Sequence, residues 1–247
     1  MRNTKKKTLD CSVFSARYWS EAAREFRDLR VLVFAALIVA LRIGVKFFKI
    51  PLTDSLFLSF DCYVNSVGSL VCGPLVGLAI GAISDNLGFL VSPSGVYFPL
   101  FTLVEMSSSF IFALFFWRRR ITVPRALAAK FTVNLICNII LNSSIIKLQY
   151  YLLGDEKFYT YNVINTVRIA KNLALFPLEA VLICLILSAV VPVLRRAGLC
   201  PADQEALRFR KKDVILVAVF FVLSVAIVLF YVFFLKDWVS AHNLKLL

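Results

Sequence analysis

The sequence has little of what metalloproteins and covalent catalysts use. Its 247 residues include a single histidine, His242, two methionines, and six cysteines without CxxC or Cys/His spacing. Four cysteines lie in or beside apolar runs and two in polar segments, so neither a disulfide framework nor a metal site is predicted. Nucleophile-elbow, HExxH and phosphate-loop motifs are missing, as is a carboxylate pair at catalytic spacing. We therefore predict no enzyme activity, no catalytic residue, no metal and no cofactor.

Acidic residues are also scarce, and this imbalance indicates a membrane rather than nucleic acid. The chain has 15 Asp and Glu against 28 Lys and Arg, a formal net charge of +13. The basic residues concentrate in the first 30 residues, in 118–125 and in 195–212, which alternate with apolar runs. By the positive-inside rule these segments are cytoplasmic. The loops near Pro51, Pro93 and Gly154 are then expected on the outer side.

Apolar residues are abundant. They make up 60% of the chain, the mean hydropathy is +0.81, and several runs approach the roughly 20 residues that cross a bilayer. We predict an all-α integral membrane protein of the cell membrane, with six helices and a probable seventh. The expected segments are a basic amphipathic cytoplasmic segment (1–30), a six-helix substrate-binding membrane domain (31–193), a basic cytoplasmic loop (194–212), an additional transmembrane helix (213–236) and an extracellular C-terminal tail (237–247). The first segment is either a helix on the inner membrane surface or a frayed tail.

The stretch from Val71 to Leu103 organises the predicted bundle. Its Gly73, Gly77 and Gly81 recur every four residues, which leaves one helix face nearly bare for close packing. A turn at Pro93-Ser94-Gly95 follows. Aromatic residues come next and are expected to form a pocket wall: Tyr97, Phe98 and Phe101. We interpret this stretch as two helices joined by a loop that closes over a ligand.

A polar stripe runs along the fifth span, predicted at Leu127 to Ile146. It consists of Lys130, Asn134, Asn138 and Asn142, four residues apart and hence on one side of a helix. Asparagine amides offer donors and an acceptor, so stacked ones can read the edge of a heterocycle. The alternative is hydrogen bonding between helices. We expect Lys130 to extend its charge toward the cytoplasm.

Intramembrane charges supply a second set of candidates. Arg42 and Arg168 either extend to lipid headgroups or point inward at an anion, where the guanidinium fork suits a carboxylate. Lys171 and Asn172 share the face of Arg168. The acidic residues within spans, Asp85, Glu105 and Glu179, also allow an ion-coupled carrier, which is the alternative function.

Three segments resemble a known family. They are GPLVGLAIGAISDNLGFLVSPSGVYFPLFTL, NLICNIILNSSIIKLQYY and VRIAKNLALFPLE, and they are similar to the folate-family substrate-binding (S) components of energy-coupling factor (ECF) transporters. The resemblance implies a six-helix membrane protein that binds a vitamin, folate or a related pterin, from outside with high affinity. It also implies partners: a transmembrane coupling protein and two ATPases that drive toppling and release inside.

The resemblance implies roles for particular residues. Ala36 and Ala40 of the first span would dock the coupling protein, and Pro93, Ser94 and Gly95 would gate the pocket. The residues expected to line the pocket are Arg42, Tyr97, Phe98, Phe101, Asn134, Asn138, Asn142, Arg168, Lys171 and Asn172. The sequence departs from the family pattern in its long N-terminal segment, in its seventh apolar run and at Ser143-Ser144, which leaves an S component for another vitamin as an alternative. A ligand-free assembly protein is a third possibility.

Overall fold

The computed structural model describes residues 13–53, 56–93, 97–161, 163 and 166–201, and single positions from 204 to 226. Helices dominate this part of the chain. They are α1 (Ala16–Arg24), α2 (Leu29–Val45), α3 (Asp61–Val91), α4 (Phe101–Phe116), α5 (Val123–Val133), α6 (Asn142–Leu153), α7 (Lys157–Thr160) and α8 (Thr166–Arg196). A 3-10 turn (Glu25–Arg27) follows α1, and a π-helix (Asn134–Leu141) joins α5 to α6 without a break.

Three helical stretches within the described ranges are long and apolar enough to cross a membrane: Asp61–Val91, Val123–Leu153 and Leu175–Arg196. The shorter α2 and α4 pack against α3. Because α3 bends in its middle, it supplies two helices, and the described residues then provide the six predicted helices. The all-helical fold class is confirmed.

The bend in α3 lies at Gly73 rather than in a loop between two separate spans. Gly73 has φ of 77°, a conformation that favours glycine because it has no Cβ, and Pro74 then starts the second half. A Cβ at position 73 would lie 2.8 Å from the Trp117 ring. The prediction that Gly73 shares a helix-packing face is therefore wrong: this glycine makes the bend and admits an indole ring.

Gly77 and Gly81 do provide the predicted close approach. A Cβ at Gly81 would lie 2.9 Å from the backbone of Glu105 and Met106, whereas one at Gly77 would lie 3.6 Å from the Ser109 carbonyl oxygen. Both contacts are with α4, so the second half of α3 and α4 pack backbone to backbone.

Two details differ from what the sequence pattern predicts. The apolar pattern predicts a second span near Leu56 to Leu70, but Leu56–Ser59 form strand β2, which pairs antiparallel with β1 (Lys49–Thr53), and α3 begins only at Asp61. The pairing satisfies backbone groups at the membrane end, where an open segment would leave them unpaired. Pro177 predicts an interruption of the sixth span, but α8 continues through Pro177 and Pro192.

The N-terminal segment folds onto the bundle, so a frayed tail is wrong for α1. Tyr18 and Ala22 of α1 are fully buried, and the Tyr18 and Trp117 rings meet edge to face at 4.8 Å. Arg118 forms ion pairs with Glu21 and, at 3.0 Å, with Glu25. We call this end of the molecule, with Trp117, Arg118 and Arg195, the basic end, and the opposite end, with the hairpin and Pro93, the loop end.

The predicted seventh helix falls largely outside the described residues. Of the run 213–236, the structure describes Ile215, Ala218, Val219, Val222 and Ala226, all helical, and the tail 237–247 lies outside the described part. Ile215, Val219 and Val222 are exposed apolar side chains, as expected of a surface that faces lipid or a partner.

Candidate functional site

A buried ion cluster lies toward the loop end of the bundle. The Arg42 guanidinium is fully buried and donates to Asp61 from Nε (2.9 Å) and Nη2 (2.8 Å), and from Nη2 to Glu105 at 2.5 Å. Arg42 lies in the last turn of α2, about 20 Å along the helix from Leu29 by the 1.5 Å rise per residue, and Asp61 is the first residue of α3. Arg42 therefore points inward rather than toward the lipid headgroups, which is one of the two orientations predicted for it. Its bidentate fork, however, binds a carboxylate of this chain.

A second buried pair contradicts the expectation for Lys130. Its side chain is 2% exposed, and its ammonium lies 2.9 Å from Glu179 of α8 and donates to the Cys62 sulfur at 3.3 Å. The predicted extension toward the cytoplasm is wrong because a buried carboxylate on the facing helix binds the ammonium. Glu179, an acid within an apolar run, was the sequence signal for such a counterion.

The three acids considered for ion coupling all pair with cations of this chain. Glu105 binds Arg42 and Glu179 binds Lys130, while Asp85 lies 3.7 Å from Lys46. Asp85 also accepts a hydrogen bond of 2.8 Å from Thr102. These ion pairs link α2 to α3 and α4, and α5 to α8. Because all three carboxylates are paired with cations of this chain, they give little support to the alternative of an ion-coupled carrier.

The asparagine stripe continues from Glu179 toward the loop end as a hydrogen-bonded column. Asn134 donates from Nδ2 to Glu179 at 3.5 Å, and Asn138 donates from Nδ2 to the Asn134 Oδ1 at 3.1 Å. Asn134 is buried, and Asn138 and Asn142 are partly exposed. The inner amide thus bonds to another helix, as the structural alternative predicted, while the two outer amides keep accessible surface.

The π-helix explains why the stripe stays on one side. In a regular α-helix, residues four apart rotate by about 40° per step, so the stripe would drift. The wider i→i+5 turns of a π-helix rotate four residues by less than a full turn and reverse that drift. Because the π-helix spans Asn134–Leu141, the asparagines remain aligned. Such segments occur frequently at functional sites.

The loop end of α8 meets this column. Arg168 donates from Nη1 to the Asn138 carbonyl oxygen at 3.5 Å, and Asn172 donates to the Arg168 carbonyl oxygen at 2.9 Å. Arg168 and Asn172 are partly buried. The side chain of Lys171 lies outside the described residues. The structure therefore brings Asn134, Asn138 and Arg168 together from two facing helical segments, whereas the hydrogen bond of Asn172 stays within α8.

The predicted gating loop is partly described. Pro93 is exposed, whereas Ser94 and Gly95 lie outside the described residues. The Tyr97 hydroxyl donates to Asn86, and its ring lies 4.9 Å from that of Phe89, which fastens the chain after the turn to the end of α3. The Phe98 and Phe101 rings meet edge to face at 6.0 Å and pack against the main core.

A cavity of about 380 Å³ lies elsewhere, on the outer side of α6. Ser144, Lys147, Leu148, Tyr151, Phe158 and Val163 line it. The sequence did not predict this cavity, although the first four of these residues follow helical spacing. It does not include the asparagine column, since Ser144 and Leu148 are on a different helix face from Asn142.

The surface of α2 contains the two predicted docking residues. Ala36 and Ala40 are exposed, and Val33 and Leu37 beside them are 64% and 61% exposed. Small side chains flanked by exposed aliphatic ones form a smooth apolar strip, which suits either lipid or a closely packed helix.

Fold and site together define a class: a helical membrane protein with a charged, hydrogen-bonding interior, which is the construction of a membrane-embedded binding protein. Residues 30–187 match the family described as "ECF transporter, substrate-specific component". Since the match covers more than half of the chain, the protein belongs to this family and is a non-enzymatic membrane transport component.

Comparison with individual proteins agrees with this family membership. The chain is 29% identical over 157 residues to "Folate transporter FolT" of Clostridium novyi (strain NT), covering 64% of this chain and 87% of that protein. It is 30% identical over 153 residues to "Folate transporter FolT" of Leuconostoc mesenteroides, covering 62% and 81%. A crystal structure titled "FolT bound with folic acid" matches with a TM-score of 0.52 and 24% identity, over 62% of this chain and 89% of that one. This last likeness shows the fold.

Proposed function

We propose that the protein binds folate or a closely related pterin from the outer side of the cell membrane and releases it inside as part of an ECF-type importer. The observation that carries the proposal is that the part of the chain matching the S-component family contains the asparagine column with Arg168 against it. Two relatives named as folate transporters align over the same core.

Within this proposal, the site residues divide the work of recognition. The accessible amides of Asn138 and Asn142 would read the edge of the heterocycle, and Tyr97, Phe98 and Phe101 would stack against it. Arg168, with Lys171 and Asn172, would attract the carboxylates of the ligand. We assign this role to Arg168 rather than Arg42, because Arg42 already binds Asp61 and Glu105. Pro93, Ser94 and Gly95 would form the gate.

Transport in this proposal needs partners. The exposed strip with Ala36 and Ala40 would dock a transmembrane coupling protein, and two ATPases would drive toppling of the bundle and release inside. The N-terminus and basic end would face the cytoplasm, in agreement with the positive-inside rule.

Ligand binding tests the proposal directly. We expect purified protein in detergent to bind folic acid saturably in equilibrium dialysis. Arg168→Ala should weaken binding about 10- to 100-fold, since one charged hydrogen-bonding partner of the ligand is lost. Arg24→Ala, which removes an exposed arginine of α1 at the basic end, is the matched control and should bind normally. Equal affinity of the two variants would contradict the assignment of Arg168, and absence of saturable binding would contradict the proposed function.

A further inference from the structure

The asparagine column begins at a group that can only accept hydrogen bonds. The Glu179 carboxylate lies 2.9 Å from the Lys130 ammonium, and the oxygens of a carboxylate in an ion pair serve as hydrogen-bond acceptors. The amide of Asn134 that faces it must therefore turn its Nδ2 toward it, as the 3.5 Å contact has it. The Glu179 carboxylate thus fixes the orientation of the Asn134 amide, because its oxygens accept a hydrogen bond and the amide must supply the donor.

The fixed orientation passes to the next residue. With Nδ2 of Asn134 directed at Glu179, its Oδ1 faces Asn138, and an oxygen acceptor requires a donor. Asn138 accordingly directs its own Nδ2 toward Asn134, at 3.1 Å. Its Oδ1 is then the amide oxygen not used within the column, on a residue that is partly exposed and whose backbone carbonyl oxygen accepts from Arg168.

We propose that the buried Lys130–Glu179 ion pair sets the donor–acceptor direction of the asparagine column, so that Asn138 presents an acceptor and selects ligands with an N–H donor at that point. In chemical terms, the site prefers an amino-substituted over an oxo-substituted heterocycle. This inference rests on the proposed function and deepens it. Lys130 and Glu179 act here as positioning residues, because they act through the amides.

The test compares two probes that differ in one group, pterin (2-amino-4-oxopteridine) and its 2-oxo analogue lumazine. We expect wild-type protein to bind pterin about 10- to 100-fold more tightly, the effect of one mispaired polar group. Exchanging the charges, Lys130→Glu with Glu179→Lys, places a donor against Asn134 and reverses both amides. The preference should then fall to parity or invert.

A milder variant covers the possibility that the exchanged pair does not fold. In Glu179→Gln the new amide can present either its oxygen or its nitrogen to Asn134, which removes the fixed direction, so the pterin-to-lumazine affinity ratio should fall at least about tenfold. Glu156→Gln, the same change at an exposed position, should leave the ratio at the wild-type value.

The pterin-to-lumazine affinity ratio distinguishes the positioning role of Lys130 and Glu179 from a purely structural role. A variant that only loosened the bundle would weaken both probes by the same factor and keep their ratio. An unchanged ratio in Glu179→Gln, with folic acid still bound by the wild type, would overturn the inference alone. Wild-type protein that binds neither folic acid nor pterin would overturn the proposed function and this inference with it.

Discussion

Two glycines of α3, Gly77 and Gly81, differ sharply in how much space the facing backbone of α4 leaves for a side chain. Gly81 lies against the backbone of α4, where a Cβ would meet three atoms at 2.9 Å, and backbone atoms cannot move aside cheaply. Gly77, one turn away, faces the same helix with ordinary contact distances. The two glycines look equivalent in the sequence, yet they tolerate a methyl group very differently.

This difference gives a prediction with a built-in control. Gly81→Ala should force α3 and α4 apart and destabilise the protein by about 1–3 kcal/mol, the usual cost of overpacking. Gly77→Ala should be neutral or slightly stabilising, because alanine is the better helix former. Thermal unfolding in detergent measures both. Equal shifts of the two midpoints would contradict the packing described for this helix pair.

For the charged residues, the sequence did not decide between the membrane surface and the interior, or which partners they meet. Arg42 was expected either at lipid headgroups or inward at an anion, and the structure supplies Asp61 and Glu105 of this chain as its partners. Lys130 was expected at the surface and is buried against Glu179. Which acid meets which base depends on the relative rotation of helices that are distant in the chain, and a period of four residues contains no information on that rotation.

Among the elements, α1 has a role that the sequence only suggested. The family match begins at residue 30, near the start of α2, so α1 lies outside the matched domain. It buries Tyr18 against Trp117, the residue whose indole also fills the space at Gly73. It therefore braces the bend of α3 from the basic end.

Truncating Tyr18 tests this bracing. Tyr18→Ala removes a fully buried aromatic ring, a change that costs about 3–5 kcal/mol in a packed core, so α1 should detach locally and trypsin should cut at Arg24 and Arg27 much faster. Phe14→Ala alters a side chain that is 99% exposed and should leave the cleavage rate unchanged. If Tyr18→Ala were cut no faster than wild type, α1 would not be held by this contact.

Helix positions along the chain were largely predictable, because long apolar runs and the asparagine period give strong signals. The bend at Gly73, the hairpin before α3 and the π-helix were not. Gly73 was recognised as a small residue, but its positive φ and the Trp117 ring in the space of a Cβ appear only in the fold. Likewise, only facing groups such as Glu179 reveal that the asparagines form one hydrogen-bonded column.

For the molecule as a whole, the proposed assembly depends on the exposed strip of α2. Ala36→Trp places a large ring where a close-packed partner helix would lie, so the protein should no longer co-purify with the coupling protein and ATPases. Folic acid binding should remain, because Ala36 is exposed on the outside of the bundle. Ala128→Trp, on the exposed side of α5, is the matched control and should assemble normally. Normal assembly of Ala36→Trp would place the partner elsewhere.

The most direct test of the account is native mass spectrometry of the intact protein, isolated from cells supplied with folate and without its partners. The account predicts a population heavier than the bare chain by the mass of one folate, and loss of that population in Arg168→Ala. Bare wild-type protein under the same conditions, or a bound molecule without a pterin ring, would contradict it.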